Sequence, residues 1–152
     1  MIFDLEQIAR NLYRRAYRFI GSGSGRQVYD LGNGYVVKMA KNMRGIAQNK
    51  AEYQISLHDE SGLFAQIAQV SADFRMIIME KAERLGHIST VWKYYGVRSN
   101  RELYNIPAIK EAMARNSLLF ADLCRPQNWG LVRRKPVIID YGFTRSVNRN
   151  YY

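Results

Sequence analysis

The chain has 152 residues, of which 47% are hydrophobic, 12% aromatic and 24% charged, a length and composition that suit one globular domain and exclude a largely disordered chain. Lysine and arginine total 23 against 13 aspartates and glutamates, and the resulting +10 attracts polyanions: nucleic acid, nucleotide phosphates or an acidic partner protein. No apolar run reaches the length of a membrane span, MIFDLEQIAR lacks a signal-peptide layout, and the single cysteine, Cys124, excludes an internal disulfide and fits a reducing, cytoplasmic setting.

The first segment reads as a helix. Asp4 and Gln7 have the spacing of a capping box, and Leu5, Ile8, Leu12 and Ala16 recur at helical period. Arg10, Arg14, Arg15 and Arg18 form a solvated face, with a nucleic-acid contact as the alternative. Residues 17–20 then lead through Gly21-Ser-Gly-Ser-Gly25 into a strand over 27–31, and Gly32-Asn-Gly34 turns the chain into another over 35–39. Asn-Gly between β-rich runs is a strong hairpin signal. Residues 47–57 have helical spacing, with Ala51, Ile55 and Glu52 available to an inner face, and 64–70 and 74–79 read as two more strands. Past a division near 80–85 the chain turns helical, over 88–95 and 107–120, and ends in short strands over 128–132 and 136–139 joined by Arg133-Arg134-Lys135. The expected organisation is α+β, a single domain over 1–152, with the N-terminal helix and β-rich lobe in 1–80 and a reduced helical lobe in 81–152.

The glycine-rich turn lies between two strands. It is therefore neither a Walker loop nor a dinucleotide-fold turn, both of which open a helix. A glycine-rich hairpin can instead lie over phosphates with unobstructed backbone N–H groups, although such hairpins also serve as ordinary turns. Lys38 stands in the next strand and Glu52 14 residues later on a helix, an arrangement in which an opposite charge holds a buried lysine for phosphate oxygens. Asp122, Asn128 and Asp140 carry the oxygen ligands that Mg²⁺ prefers. Each also has a plain structural role open to it, as solvated strand lysine, helix-surface glutamate or turn former. Cys124 has no histidine near it in sequence and reads as a buried cysteine rather than a nucleophile.

In series, these segments resemble the eukaryotic-like protein kinase fold. Gly21-Ser-Gly-Ser-Gly-Arg-Gln-Val28 resembles G-x-G-x-x-G-x-V with Arg26 in place of the third glycine, and Tyr35-Val-Val-Lys38 resembles V-A-I-K. Met76-Ile-Ile-Met-Glu80 is similar to the strand entering the interlobe hinge, Asp122-Leu-Cys-Arg-Pro-Gln-Asn128 to the catalytic loop, and Asp140-Tyr-Gly142 to D-F-G. Small kinase-like proteins of phages and bacteria, with N-W-G and D-Y-G-F-T, look nearest. The resemblance implies a small antiparallel sheet crossed by one helix, then a reduced helical lobe, with ATP between them. Gly21, Gly23, Gly25 and Val28 would cover the nucleotide, Lys38 held by Glu52 would bind its phosphates, and the backbone from Glu80 to Ala82 would meet the adenine. Asn128 and Asp140 would hold Mg²⁺, with Asp122 as the base.

Three departures accompany the resemblance. Asp122 and Asn128 are six positions apart where the family pattern has five, so strict register would put Leu123 at the base position. Phe120-Ala121 stands where His-Arg is usual, and Cys124 where a lysine often lies, with Arg125 as a substitute. Only ten residues follow Gly142, too few for a peptide-docking platform. The expected function is an ATP-binding, kinase-like phosphotransferase acting on a partner protein or small molecule. The alternatives are a pseudokinase-like module that regulates a partner and a basic nucleic-acid-binding protein that stacks bases on Trp92, Tyr94, Tyr95 or the terminal Tyr151-Tyr152.

Overall fold

Side chains of a strand alternate between faces, and in β3 (Tyr35–Ala40) this sends Tyr35, Val37 and Met39 one way and Val36 and Lys38 the other. The computed structural model, which describes residues 2–142, builds its first layer on that division. Strands β1 (Arg18–Ser22), β2 (Arg26–Asp30), β3, β4 (Ile67–Val70) and β5 (Met76–Glu80) form a five-stranded sheet in the order β1-β2-β3-β5-β4, antiparallel throughout. On its outer face Val37, Met76 and Ile78 pack against Phe3 and against Ile8 of α1 (Leu5–Tyr13). Phe3 and Tyr35 meet edge to face at 5.0 Å.

The inner face belongs to the main core. Val36 and Met79 join Ile55 of α2 (Met43–His58), Val91 of α3 (Ser89–Tyr95), Leu103 of α4 (Asn100–Tyr104), Ile109 and Met113 of α5 (Pro107–Arg115) and Leu123 of α6 (Phe120–Leu123). β5 is buried on both faces, and each fully buried aliphatic side chain there contributes about 1.5–3 kcal/mol. A second sheet, of three strands, orders β6 (Glu83–Arg84), β7 (Trp129–Val132) and β8 (Lys135–Ile138). Ile138 N–H donates to the Leu63 carbonyl at 2.8 Å and Ala65 N–H to the Ile138 carbonyl at 2.9 Å. These bonds fix the exit of β8 against the chain leaving α2, and so carry residues 139–142 toward Glu52.

Several expected boundaries shift for local reasons. α1 is capped by the Asp4 carboxylate on Gln7 N–H at 3.1 Å, but it ends at Tyr13 because Arg15 is left-handed (φ 59°), leaving Ala16 outside. α2 begins four residues before the expected 47, where the Asn42 side chain accepts Gly45 N–H at 3.0 Å. The helix expected over 107–120 ends at Arg115, just before left-handed Ser117 (φ 54°), and a separate short helix, α6, follows from Phe120. α4 and β6 were not anticipated, although Ser99 and Glu102 have capping-box spacing and the Ser99 hydroxyl does accept Glu102 N–H at 3.1 Å. Among the described residues, no helix is long and apolar enough to cross a membrane.

Candidate functional site

α2 turns Gly45, Gln48, Asn49, Glu52 and Ile55 inward at helical spacing, which places a carboxylate in the core. Glu52 is fully buried, and an isolated charge there would be expensive. Four donors surround it. Its Oε1 accepts Arg26 Nη1 at 2.8 Å and Lys38 Nζ at 2.9 Å, while its Oε2 accepts Arg26 Nη2 at 2.9 Å and Tyr141 N–H at 3.0 Å. Burial alone would raise the Glu52 pKa, but the charges of Arg26 and then Lys38 outweigh it and hold the carboxyl well below its usual range. Lys38 also donates to the Ile139 carbonyl at 2.5 Å. Its own pKa is lowered, by burial first, with Glu52 opposing and Arg26 adding to the effect.

Arg26 is the participant that the sequence reading missed. It opens β2 opposite Ala40, on the same face as Val28, and its side chain runs inward beneath the turn. The guanidinium takes both oxygens of Glu52, then Asn49 Oδ1 at 3.1 Å and Asp140 Oδ1 at 2.9 Å. One signal was available: Glu52 and Asp140 are two inward carboxylates for the single cation Lys38, and an arginine stands where the family pattern has glycine.

The glycine-rich turn has divided roles. Gly23 N–H donates to the Arg26 carbonyl at 2.9 Å, closing the hairpin on Ser24 and Gly25. The tip is docked on the start of α2, with Lys41 N–H on the Gly25 carbonyl at 2.7 Å and Asn42 Nδ2 on the Ser24 carbonyl at 3.1 Å. A Cβ on Gly45 would stand 2.0 Å from the Gly25 carbonyl oxygen, so the close approach itself requires glycine there. Gly21 and Gly23 have open space where a side chain would be.

Asp122 and Asn128 close the loop between α6 and β7. Asn128 Nδ2 donates to the Asp122 carbonyl at 3.0 Å, Trp129 Nε1 to the Leu123 carbonyl at 2.8 Å, and Ile139 N–H to the Asn128 carbonyl at 2.8 Å. Leu123 is buried in the core, and it lines a small cavity together with Asp122, Asp140, Leu118 and Tyr141. Asp122 Oδ2 is buried without a hydrogen-bond partner among the described residues. Its pKa is raised, by burial first, with Arg125 opposing and Asp140 adding. The six-position spacing therefore brings both Asp122 and Leu123 to the wall of the cavity that Asp140 lines, and of the two only Asp122 carries a group that can accept a proton.

Tyrosine in Asp140-Tyr-Gly142 has a local cause: its hydroxyl donates to the buried Ala65 carbonyl at 2.7 Å. Glu80 and Ala82 lie apart from the ion-pair cluster, beyond the end of β3 where Tyr35 pairs with Glu80. Glu80 N–H donates to the Gln66 carbonyl and Lys81 N–H to the Gly34 carbonyl, at 3.0 and 2.9 Å. The Glu80 carboxylate accepts Gln66 N–H at 2.7 Å.

The donor set for Mg²⁺ can be tested on this geometry. Asp140 Oδ1 is engaged by Arg26, and Asn128 Nδ2 donates to the Asp122 carbonyl, a bond that does not use the amide oxygen. Among the described residues, no group of three His, Cys, Asp or Glu side chains is placed to hold a metal. A guanidinium fills the position between Glu52 and Asp140, so no divalent ion fits between those two carboxylates.

No family model matches the chain, and no curated protein matches it in sequence. Among solved structures, WbdD in a co-crystal with the kinase inhibitor LY294002 is similar at 15% identity and a TM-score of 0.50, over 82% of this chain and 32% of that one. The streptomycin–ATP ternary complex of APH(2")-IIa matches at 16% identity and a TM-score of 0.48, over 93% of this chain and 72% of that one. The chain thus spans about a third of the length of WbdD. The mixed α+β architecture, with its antiparallel sheet and the helix that crosses it, is a kinase-like fold.

Proposed function

We propose that the chain binds a nucleoside triphosphate, ATP in the first instance, between the five-stranded sheet and the β7–β8 hairpin, and that it is a phosphotransferase-like protein. The observation that carries this reading is the buried pair of Lys38 and Glu52, 2.9 Å apart in a kinase-like fold. An ammonium has three N–H donors, and among the described residues Glu52 and the Ile139 carbonyl take two, leaving the third for a phosphate oxygen. Gly21 and Gly23, open above the cleft, let backbone approach the phosphates, and Val28 covers the base. Glu80 and Lys81 have spent their N–H groups, so the adenine edge is met at Ala82.

Asp122 is the acceptor-side residue in this reading. Its carboxylate would take the proton of an acceptor hydroxyl as that oxygen bonds the γ-phosphorus and ADP leaves. The acceptor is a small molecule or a partner protein. A second reading, nucleotide binding without turnover, is favoured by one observation: Arg26 already occupies Asp140. Calorimetric titration with ATP tests binding, and transfer of labelled γ-phosphate separates the readings. Binding to the wild type that falls at least tenfold in Lys38→Met, with the fold intact by circular dichroism, is the expected result. Equal binding by both proteins would overturn the site.

A further inference from the structure

A count of donors on Arg26 restricts what it does. A guanidinium has five N–H groups in a fixed fork. Four of them are used inside the protein, on Asn49 Oδ1, both oxygens of Glu52 and Asp140 Oδ1. Among the described residues only Nε–H is left over, so Arg26 is not free to grip a phosphate as a second Lys38 would. Nor is it a loose surface latch, because its side chain is 7% exposed and its charge is permanent at any ordinary pH. With Lys38 it balances Glu52 and Asp140 charge for charge. A divalent ion brought to Asp140 would therefore meet a fixed positive charge within hydrogen-bond distance of that carboxylate, rather than a free acidic site.

We infer that Arg26 is the resident cation of the cleft: held on Glu52 and Asp140, it takes the place of a divalent metal, and the chain binds nucleoside triphosphate without one. This rests on the nucleotide reading above. The sequence difference that makes it so is one residue, an arginine at the position of the third glycine in the resembled pattern.

The test is calorimetric titration of the wild-type chain with ATP in EDTA and in excess Mg²⁺. Dissociation constants within threefold of each other support the inference. Because the chain carries +10, metal-free binding must also be lost in Lys38→Met; binding that persists there is surface attraction and counts against it. Arg26→Gly vacates Asp140, and its ATP binding should become at least tenfold tighter in Mg²⁺ than in EDTA. Should that variant not fold, Mn²⁺ binding by electron paramagnetic resonance on the wild type replaces it. No Mn²⁺ site tighter than millimolar is expected without nucleotide, and a micromolar site lost in Asp140→Asn overturns the inference. Wild-type binding in Mg²⁺ alone overturns the resident cation but leaves the nucleotide site standing. No binding in either condition overturns both.

Discussion

Arg26 and Glu52 meet fork to fork, Nη1 to Oε1 at 2.8 Å and Nη2 to Oε2 at 2.9 Å, with both side chains buried. Bidentate pairing of this kind is among the stronger charge-assisted contacts and fixes orientation as well as distance. Here it ties the glycine turn to α2, and through Asp140 to the segment after β8.

The first prediction follows from removing the shared anion. Glu52→Gln leaves the charges of Arg26 and Lys38 buried with Asp140 as their remaining anionic partner in the cluster. Breaking a buried pair in this way costs about 3–5 kcal/mol. Urea denaturation should show a loss of that size; a loss under 1 kcal/mol would mean that the cluster is not closed in solution.

Acid should erase that difference. The folded-state pKa of Glu52 is lowered, so its stabilisation is full above the unfolded carboxylate value of about 4.3 and is lost as pH falls toward the folded value. The gap between wild type and Glu52→Gln should stay constant from about pH 5 to 8, then narrow by about 1.4 kcal/mol per pH unit below 4.3. Denaturation curves at stepped pH read this directly. A gap that widens on acidification would reverse the assigned sign.

The glycines separate packing from ligand contact. Gly45→Ala drives a methyl into the Gly25 carbonyl and should cost about 1–3 kcal/mol by overpacking. Gly23→Ala has open space and should leave the melting temperature nearly unchanged while weakening ATP binding. If Gly23→Ala melts early with unchanged affinity, the turn has a structural role only.

Asp122 should show a trade between stability and activity. Its pKa is raised and its Oδ2 is unpartnered, so its ionised form at neutral pH costs stability. Asp122→Asn should gain about 1 kcal/mol at pH 7, the low end of the cost of an unpaired buried polar atom, and abolish phosphoryl transfer. The sign fixes the window: the gain is full above the raised folded pKa and disappears below the unfolded value of about 3.9. A variant that is less stable than wild type at pH 7 would contradict the account.

Lys38 and Glu52 were legible because strand and helix periods put each on a definite element, whereas Asp122, Asn128 and Asp140 were singled out by their oxygen donors and by the kinase resemblance. Lys38 and Glu52 do meet, and Asp122 and Asp140 do share a cavity wall. The sequence reading treated Arg26 as an absent glycine, because its partner Asp140 is 114 residues away and only the tertiary fold joins them. Gly25 looked like a phosphate-covering residue, yet its contact with Gly45 depends on how the hairpin docks on α2. The Asp122–Asn128 spacing left the base position open, since where the loop side chains point depends on the tertiary bonds that close the loop, and in the fold Asp122 and Leu123 both reach the cavity wall.

The most direct measurement is a crystal structure of the wild-type chain with a non-hydrolysable ATP analogue. The account predicts a phosphate oxygen within hydrogen-bond distance of Lys38 Nζ, the adenine edge at Ala82, and Glu52 still paired with Lys38. A nucleotide bound outside this cleft, or within it but clear of Lys38, would contradict the central claim.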